Sequence, residues 1–213
     1  MNIEVIHATK YIKKSLILKD VNIRLESGTV YGLQGPNGGG KTMLMRLLCG
    51  LIRATEGQVL IDGKELGKDM DFSNSLGLLI ENPAFLPGYT GLQNLLLLAQ
   101  LRDRIGEKEA RQALLDVGLN PDDKRKYRKY SLGMKQRLGI AAAIMEQPEL
   151  ILLDEPTNAL DDKGVAQICN LIRRERDRGA LVVLACHDAE ILENLSDEIF
   201  YIHDGIVERK GVL

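Results

Sequence analysis

Two short stretches of this chain carry the residue types, in the order, that holding and attacking a phosphate require. Residues 35–42 read GPNGGGKT, the pattern G-x-x-x-x-G-K-[ST]. Glycines at these positions let the chain wrap so that successive backbone N–H groups point at one centre, and the helix that follows adds its positive end. Gly35, Asn37, Gly38, Gly39, Gly40, Lys41, Thr42 and Met43 are the candidate nucleotide-binding residues. In this pattern Lys41 reaches the β- and γ-phosphates and Thr42 offers its hydroxyl to Mg²⁺. The second stretch is LILLDEPTNALD, residues 150–161. Its apolar run carries Asp154 to the end of a strand, where a carboxylate can hold Mg²⁺ through water. Glu155 follows directly and can accept or orient the proton of an attacking water. A third stretch, LLIENPAFL at residues 78–86, ends an apolar run near Glu81 before Asn82-Pro83 stops regular structure. It sets one more carboxylate at the tip of a buried strand.

These groups meet only if a fold brings separate strand ends together. Segments rich in β-branched and apolar residues alternate with helical ones, which is the pattern of an α/β fold with a largely parallel sheet. TVYGLQ precedes the glycine loop, and ELILLD, ALVVLACH and EIFYIHDG recur later, separated by helical stretches beginning near Asp161 and Asp188. The N-terminal part differs: NIEVIHA, LILKDVNIRL and GQVLIDG predict an antiparallel patch of short strands. Between Thr90 and Met145 the pattern is helical, with Thr90 capping one helix, Glu107–Val117 forming a second that ends at Gly118, and Gly133–Met145 a third. The reading is one domain over residues 1–213 with a helical insert at about 84–146.

The two phosphate motifs, joined by YSLGMKQR at 130–137 and CHD at 186–188, resemble the nucleotide-binding subunit of ATP-binding cassette (ABC) transporters over nearly the whole chain, in family order. The resemblance implies a P-loop NTPase core and ATP hydrolysis with ATP and Mg²⁺. It also implies a head-to-tail dimer with a second ATP-binding subunit, in which Ser131 and Gly133 of one copy contact the nucleotide held by the other. The chain departs from the family's LSGGQ by Leu132 and Met134. His187 matches the switch histidine, NALD at 158–161 resembles the loop that crosses the dimer interface, and Tyr11 lies where an aromatic ring stacks on adenine. On this reading Glu155, His187 and Lys41 are catalytic, and Thr42, Asp154 and Glu81 face the metal.

At residue 81 the family carries a glutamine that touches Mg²⁺ and the attacking water, in a loop that contacts the membrane subunit. Glu81 takes its place, and Gln93 sits too far along, on the predicted helix. An ionised carboxylate cannot donate a hydrogen bond and adds negative charge beside Asp154 and Glu155. That exchange, with SLGMKQRLGIA and DEPTNALD, resembles the ABC ATPases of bacitracin-resistance and lantibiotic-immunity exporters, which implies export of a membrane-active peptide or other hydrophobic compound. The alternative is an ABC ATPase of a soluble machine such as cofactor assembly.

Bulk properties narrow the classes further. With 213 residues, 45% apolar and 27% charged, the chain has ample material for a core. Its apolar runs fall far short of the ~20 residues of a membrane-spanning helix, so a membrane role requires an integral permease partner. MNIEVIHATK lacks a basic-then-apolar leader, which points to the cytoplasm, and the permease partner that the resemblance implies places the chain at the inner face of the membrane. A net charge of −2 gives no pull toward nucleic acid, and the basic run KRKYRK at 124–129 reads as a solvated face. Cys49, Cys169 and Cys186 are too few and too scattered for a disulfide framework or a zinc site.

Overall fold

The structure, a computed structural model, describes residues 1–210. The chain opens with strands β1 (Asn2–Ile12), β2 (Ser15–Glu26) and β3 (Val30–Gln34), followed by helix α1 (Lys41–Leu48). Strands β4 (Glu56–Ile61), β5 (Lys64–Glu65) and β6 (Leu76–Leu79) come next. Three helices then run in succession: α2 (Gly91–Arg102), α3 (Glu107–Asp116) and α4 (Leu132–Ile144). The remainder alternates β7 (Leu150–Asp154), α5 (Asp162–Asp177), β8 (Leu181–Ala185), α6 (Ala189–Leu195), β9 (Glu198–His203) and β10 (Ile206–Lys210).

These strands form two sheets. The N-terminal one is antiparallel, in the order β2-β1-β4-β5, and the larger one runs β10-β9-β3-β8-β7-β6. In the larger sheet β9, β3, β8, β7 and β6 are parallel and only β10 reverses. Both faces of this sheet are covered, which is why β8 reads LVVLA with every residue buried. Period-two alternation then splits each strand between two cores. Leu150 and Leu152 of β7 join α1 and the antiparallel sheet on one side. Ile151 and Leu153 join the α2–α4 helices and α5 on the other. All the parallel strands finish at one edge, the place where ligands bind open α/β sheets.

Helix starts follow the side chains that cap them. Thr90 Oγ1 accepts from the Gln93 amide at 3.2 Å, and Gln93 Oε1 accepts from the Thr90 amide at 3.0 Å, so Gln93 is occupied in a capping box. Asp161 and Asp188 cap α5 and α6. The stretch between α3 and α4 lies between the two helix bounds read from the sequence: residues 117–131 form a loop with one short 3-10 turn at Tyr127–Lys129. In that loop the charged side chains of KRKYRK are exposed or partly exposed, as a solvated face requires, and its tyrosine departs from this. Tyr127 is buried, its hydroxyl donates to the Pro83 carbonyl at 2.6 Å, and its ring meets Phe85 edge-on at 5.4 Å. Strand β10 was not apparent in the sequence pattern. Cys49 and Cys186 are buried, Cys169 is half-buried, and all three are free thiols.

Candidate functional site

The ends of β3, β7 and β8 open onto a cleft of about 660 Å³. The glycine loop forms one wall. Its shape is set from behind by the β9–β10 turn, where Gly205 donates to the Gly39 carbonyl and accepts from Lys19. Gly35 has φ 146°, and a Cβ there would lie 1.9 Å from the Ile202 carbonyl oxygen, so only glycine fits between the loop and β9. Lys41 is 8% exposed and folds back, donating to the carbonyls of Gly35 at 2.7 Å and Pro36 at 3.0 Å. Its ammonium is thus poised over the loop it would share with a phosphate.

Across the cleft, the Thr42 hydroxyl donates to Asp154 Oδ2 at 2.7 Å, joining α1 to the end of β7. Glu155 comes next, in the left-handed region at φ 50°, its side chain 17% exposed. Glu155 Oε2 accepts from the His187 amide at 3.1 Å, and the His187 ring Nε2 stands 3.1 Å from Oε1. That ring contact is not aligned as a hydrogen bond, so Oε1 is buried without a hydrogen-bond partner in the protein. Burial pushes the Glu155 carboxyl above the ordinary carboxylate range; the amide and imidazole of His187 and the Lys41 ammonium oppose this, and the Asp154 charge adds to it.

Glu81 also lines the cleft but is held differently. Strand β6 ends at Leu79, so Glu81 lies in the loop beyond it, at φ 63°, with its side chain 64% exposed. Its carboxylate pairs with Arg46 in the last turn of α1. Asn37, Gly38, Gly40 and Met43 line the cleft as well, whereas Gly35 and Gly39 form the floor of the loop behind it.

Ser131 and Gly133 start α4 at the rim. Ser131 Oγ accepts from the Met134 amide at 3.2 Å, and Gly133 packs so closely on the Ala159 carbonyl that a Cβ would come within 2.6 Å of its oxygen. Between them Leu132, 65% exposed, lines the cleft. Tyr11 is 41% exposed at the end of β1 and does not line the cleft; Ile17 of β2 does. Sequence reasoning missed Ile17, Asn82 and Gln136. For Gln136 a signal existed: it follows Leu132 by four positions, on the same face of α4.

The sequence profile of the ABC transporter family matches residues 18–158. The chain belongs to this family. It is 44% identical over 206 residues to "Uncharacterized ABC transporter ATP-binding protein YybJ" of Bacillus subtilis (strain 168), covering 97% of this chain and 94% of that one. To "Bacitracin transport ATP-binding protein BcrA" of Enterococcus faecalis it is 36% identical over 213 residues, covering 99% of this chain and 69% of that one. In three dimensions it is similar to the ATP-binding cassette MJ0796 solved as a dimer in a post-hydrolysis state with ADP and Pi, with a TM-score of 0.86 and 27% identity over 99% of this chain and 100% of the other. This ABC transporter ATP-binding subunit is an ATPase of α/β fold. Among the described residues no helix is long and apolar enough to cross a membrane.

Proposed function

We propose that this ABC ATPase pairs head to tail with a second copy around two Mg-ATP and drives a separate membrane permease at the inner face of the membrane. The proposed cargo is an exported peptide antibiotic or a similar hydrophobic compound. One observation carries the hydrolytic part: the Thr42–Asp154 contact adjoins the largely buried Glu155 and its exposed partner His187 in a single cleft with Lys41. The relative named for bacitracin transport supports the export reading.

The donor set fits Mg²⁺. Thr42 and Asp154 present hard oxygens in contact with each other at 2.7 Å. Mg²⁺ is held in this way elsewhere, by one or two protein oxygens together with water and substrate phosphates. When bound, the ion neutralises charge on the β- and γ-phosphates and keeps the leaving group in place.

The chain's own residues do the rest. Amides of residues 38–42 and the Lys41 ammonium bind and orient the phosphates, with Lys41 exchanging its carbonyl partners for phosphate oxygens. Glu155 Oε1, which lacks a partner, accepts a hydrogen bond from the attacking water and takes its proton as attack proceeds. Its raised proton affinity suits that task. His187 fixes Glu155 through its amide and presents its ring to the transferring phosphoryl group. Ser131 and Gly133 offer a hydroxyl and a bare amide at a helix start to the nucleotide of the partner.

The test is affinity capture of the tagged Glu155→Gln protein from its native cells, in mild detergent with Mg-ATP. The expected result is a multi-span membrane protein in stoichiometric amount together with a dimer of this chain. Recovery of soluble proteins alone would move the assignment to a soluble ABC machine.

A further inference from the structure

We propose that Gln136 is a positioning residue that aims the hydrolytic carboxylate, a role that rests on the reading of Glu155 given above. Gln136 is a polar side chain 8% exposed, and its Nε2 donates to the backbone carbonyl of Glu155 at 2.8 Å. Glu155 needs such a hold. A residue with a β-carbon is disfavoured in the left-handed region, and Glu155 stays at φ 50° because its surroundings leave it no alternative.

Three hydrogen bonds fix this residue's main chain. Its amide donates to Ala185 of β8 at 2.9 Å, and its carbonyl accepts from the Asn158 amide at 3.2 Å and from Gln136. The Asn158 bond closes a local turn. The Ala185 bond extends the sheet. Only Gln136 reaches in from a different layer, the helix α4, which lies over β6 and is capped by Ser131. If the Gln136 bond is lost, the Glu155 carbonyl is held by the Asn158 amide alone, a longer contact that belongs to the same local turn. The looser main chain places Oε1 less accurately at the point where it meets water. The Asn158 bond still satisfies the carbonyl, so the fold survives. Gln136 makes no hydrogen bond to the glycine loop or to Lys41, so its replacement leaves the hydrogen bonds of Lys41 in place.

The experiment measures kcat and KM for Mg-ATP on the purified full chain, comparing native, Gln136→Met, Gln136→Glu and Glu155→Gln proteins. Gln136→Met keeps the volume and loses the donor. Its kcat should fall about ten- to a hundredfold, as expected for misplacement of a reacting group, with KM changed by no more than about twofold. Gln136→Glu adds a readout that a purely structural role would not move, because its carboxyl donates only when protonated. Burial together with Asp154, Glu155 and Glu81 keeps that carboxyl protonated to higher pH, while Lys41 and His187 oppose this. The ratio of its kcat to that of Gln136→Met should therefore rise as pH falls from about 8 to about 6. Native kcat in Gln136→Met, or a KM and melting temperature that shift along with kcat, overturns the proposal. Glu155→Gln separates the two readings. If it is inactive while Gln136→Met is normal, only the role of Gln136 fails; if it turns over at the native rate, the reading of Glu155 fails and the proposal with it.

Discussion

Glu155 and Glu81 face the same cleft and share a left-handed backbone, yet their environments differ. Glu155 sits at a sheet edge, its main chain tied to β8 and α4, its carboxylate against His187, its side chain 17% exposed. Glu81 sits in a loop two residues past the end of β6, 64% exposed, with its charge engaged by Arg46. Burial raises the first group's proton affinity and leaves one of its oxygens without a hydrogen-bond partner in the protein. The second is in solvent and tethered to the glycine-loop helix. A carboxylate in a phosphate site acts according to what surrounds it, and these surroundings favour the proposed hydrolytic role for Glu155 and no more than a supporting one for Glu81.

The largest expected effect tests the cleft that both glutamates share. Lys41→Ala should lose ATP binding, with turnover reduced about a thousandfold or more, read by nucleotide titration and phosphate release. Next comes the metal side of Glu155. Asp154→Asn should raise the Mg²⁺ concentration for half-maximal activity about ten- to a hundredfold, measured by metal titration at fixed ATP.

The pH dependence of turnover sharpens the contrast. Glu155 acts as a base only when ionised, and its carboxyl is raised by burial, so activity should fall with decreasing pH at a point above the ordinary carboxylate value of about 4.3. Stability has the opposite sign. A carboxyl whose proton affinity is higher folded than unfolded favours the fold below the unfolded value, and that contribution is lost as pH rises through the folded one. Glu155→Gln should therefore melt above the native protein at alkaline pH, and a lower melting temperature there would contradict its burial cost.

Smaller effects belong to Glu81. Glu81→Gln should fold normally and shift the Mg²⁺ dependence by about threefold at most, a bound set by its exposure and its Arg46 partner. Identical metal titrations for the two proteins would remove the carboxylate from the site. Arg46→Ala should lower the melting temperature by no more than about 2 °C, since an exposed ion pair contributes little.

Much of the site was legible because its parts sit on strong local patterns. The apolar runs of β7 and β8 are long enough to fix those strands, and the strand ends then place Asp154, Glu155 and His187 together. Asp161 and Asp188 read as caps and are caps. What sequence could not give depends on contacts between layers. The register of β1 on β2 shifts three times between Val5 and Tyr11, so the place of Tyr11 relative to the glycine loop is set by pairing between strands and not by the thirty positions that separate it from Lys41. Gln136 looks like any polar helix residue until α4 is laid over the loop after β7. The pairing of Glu81 with Arg46 likewise joins residues 35 positions apart. Tyr127 in the basic run was hidden by its charged neighbours, and only the fold shows it anchored to Pro83.

The most direct test is one side-by-side measurement of kcat at saturating Mg-ATP for the native, Glu155→Gln and Glu81→Gln proteins. Loss of a general base predicts a fall of at least about a hundredfold for Glu155→Gln, and the exposed, tethered Glu81 predicts a change within about fivefold. The reverse order, with Glu81→Gln inactive and Glu155→Gln near the native rate, would contradict the account.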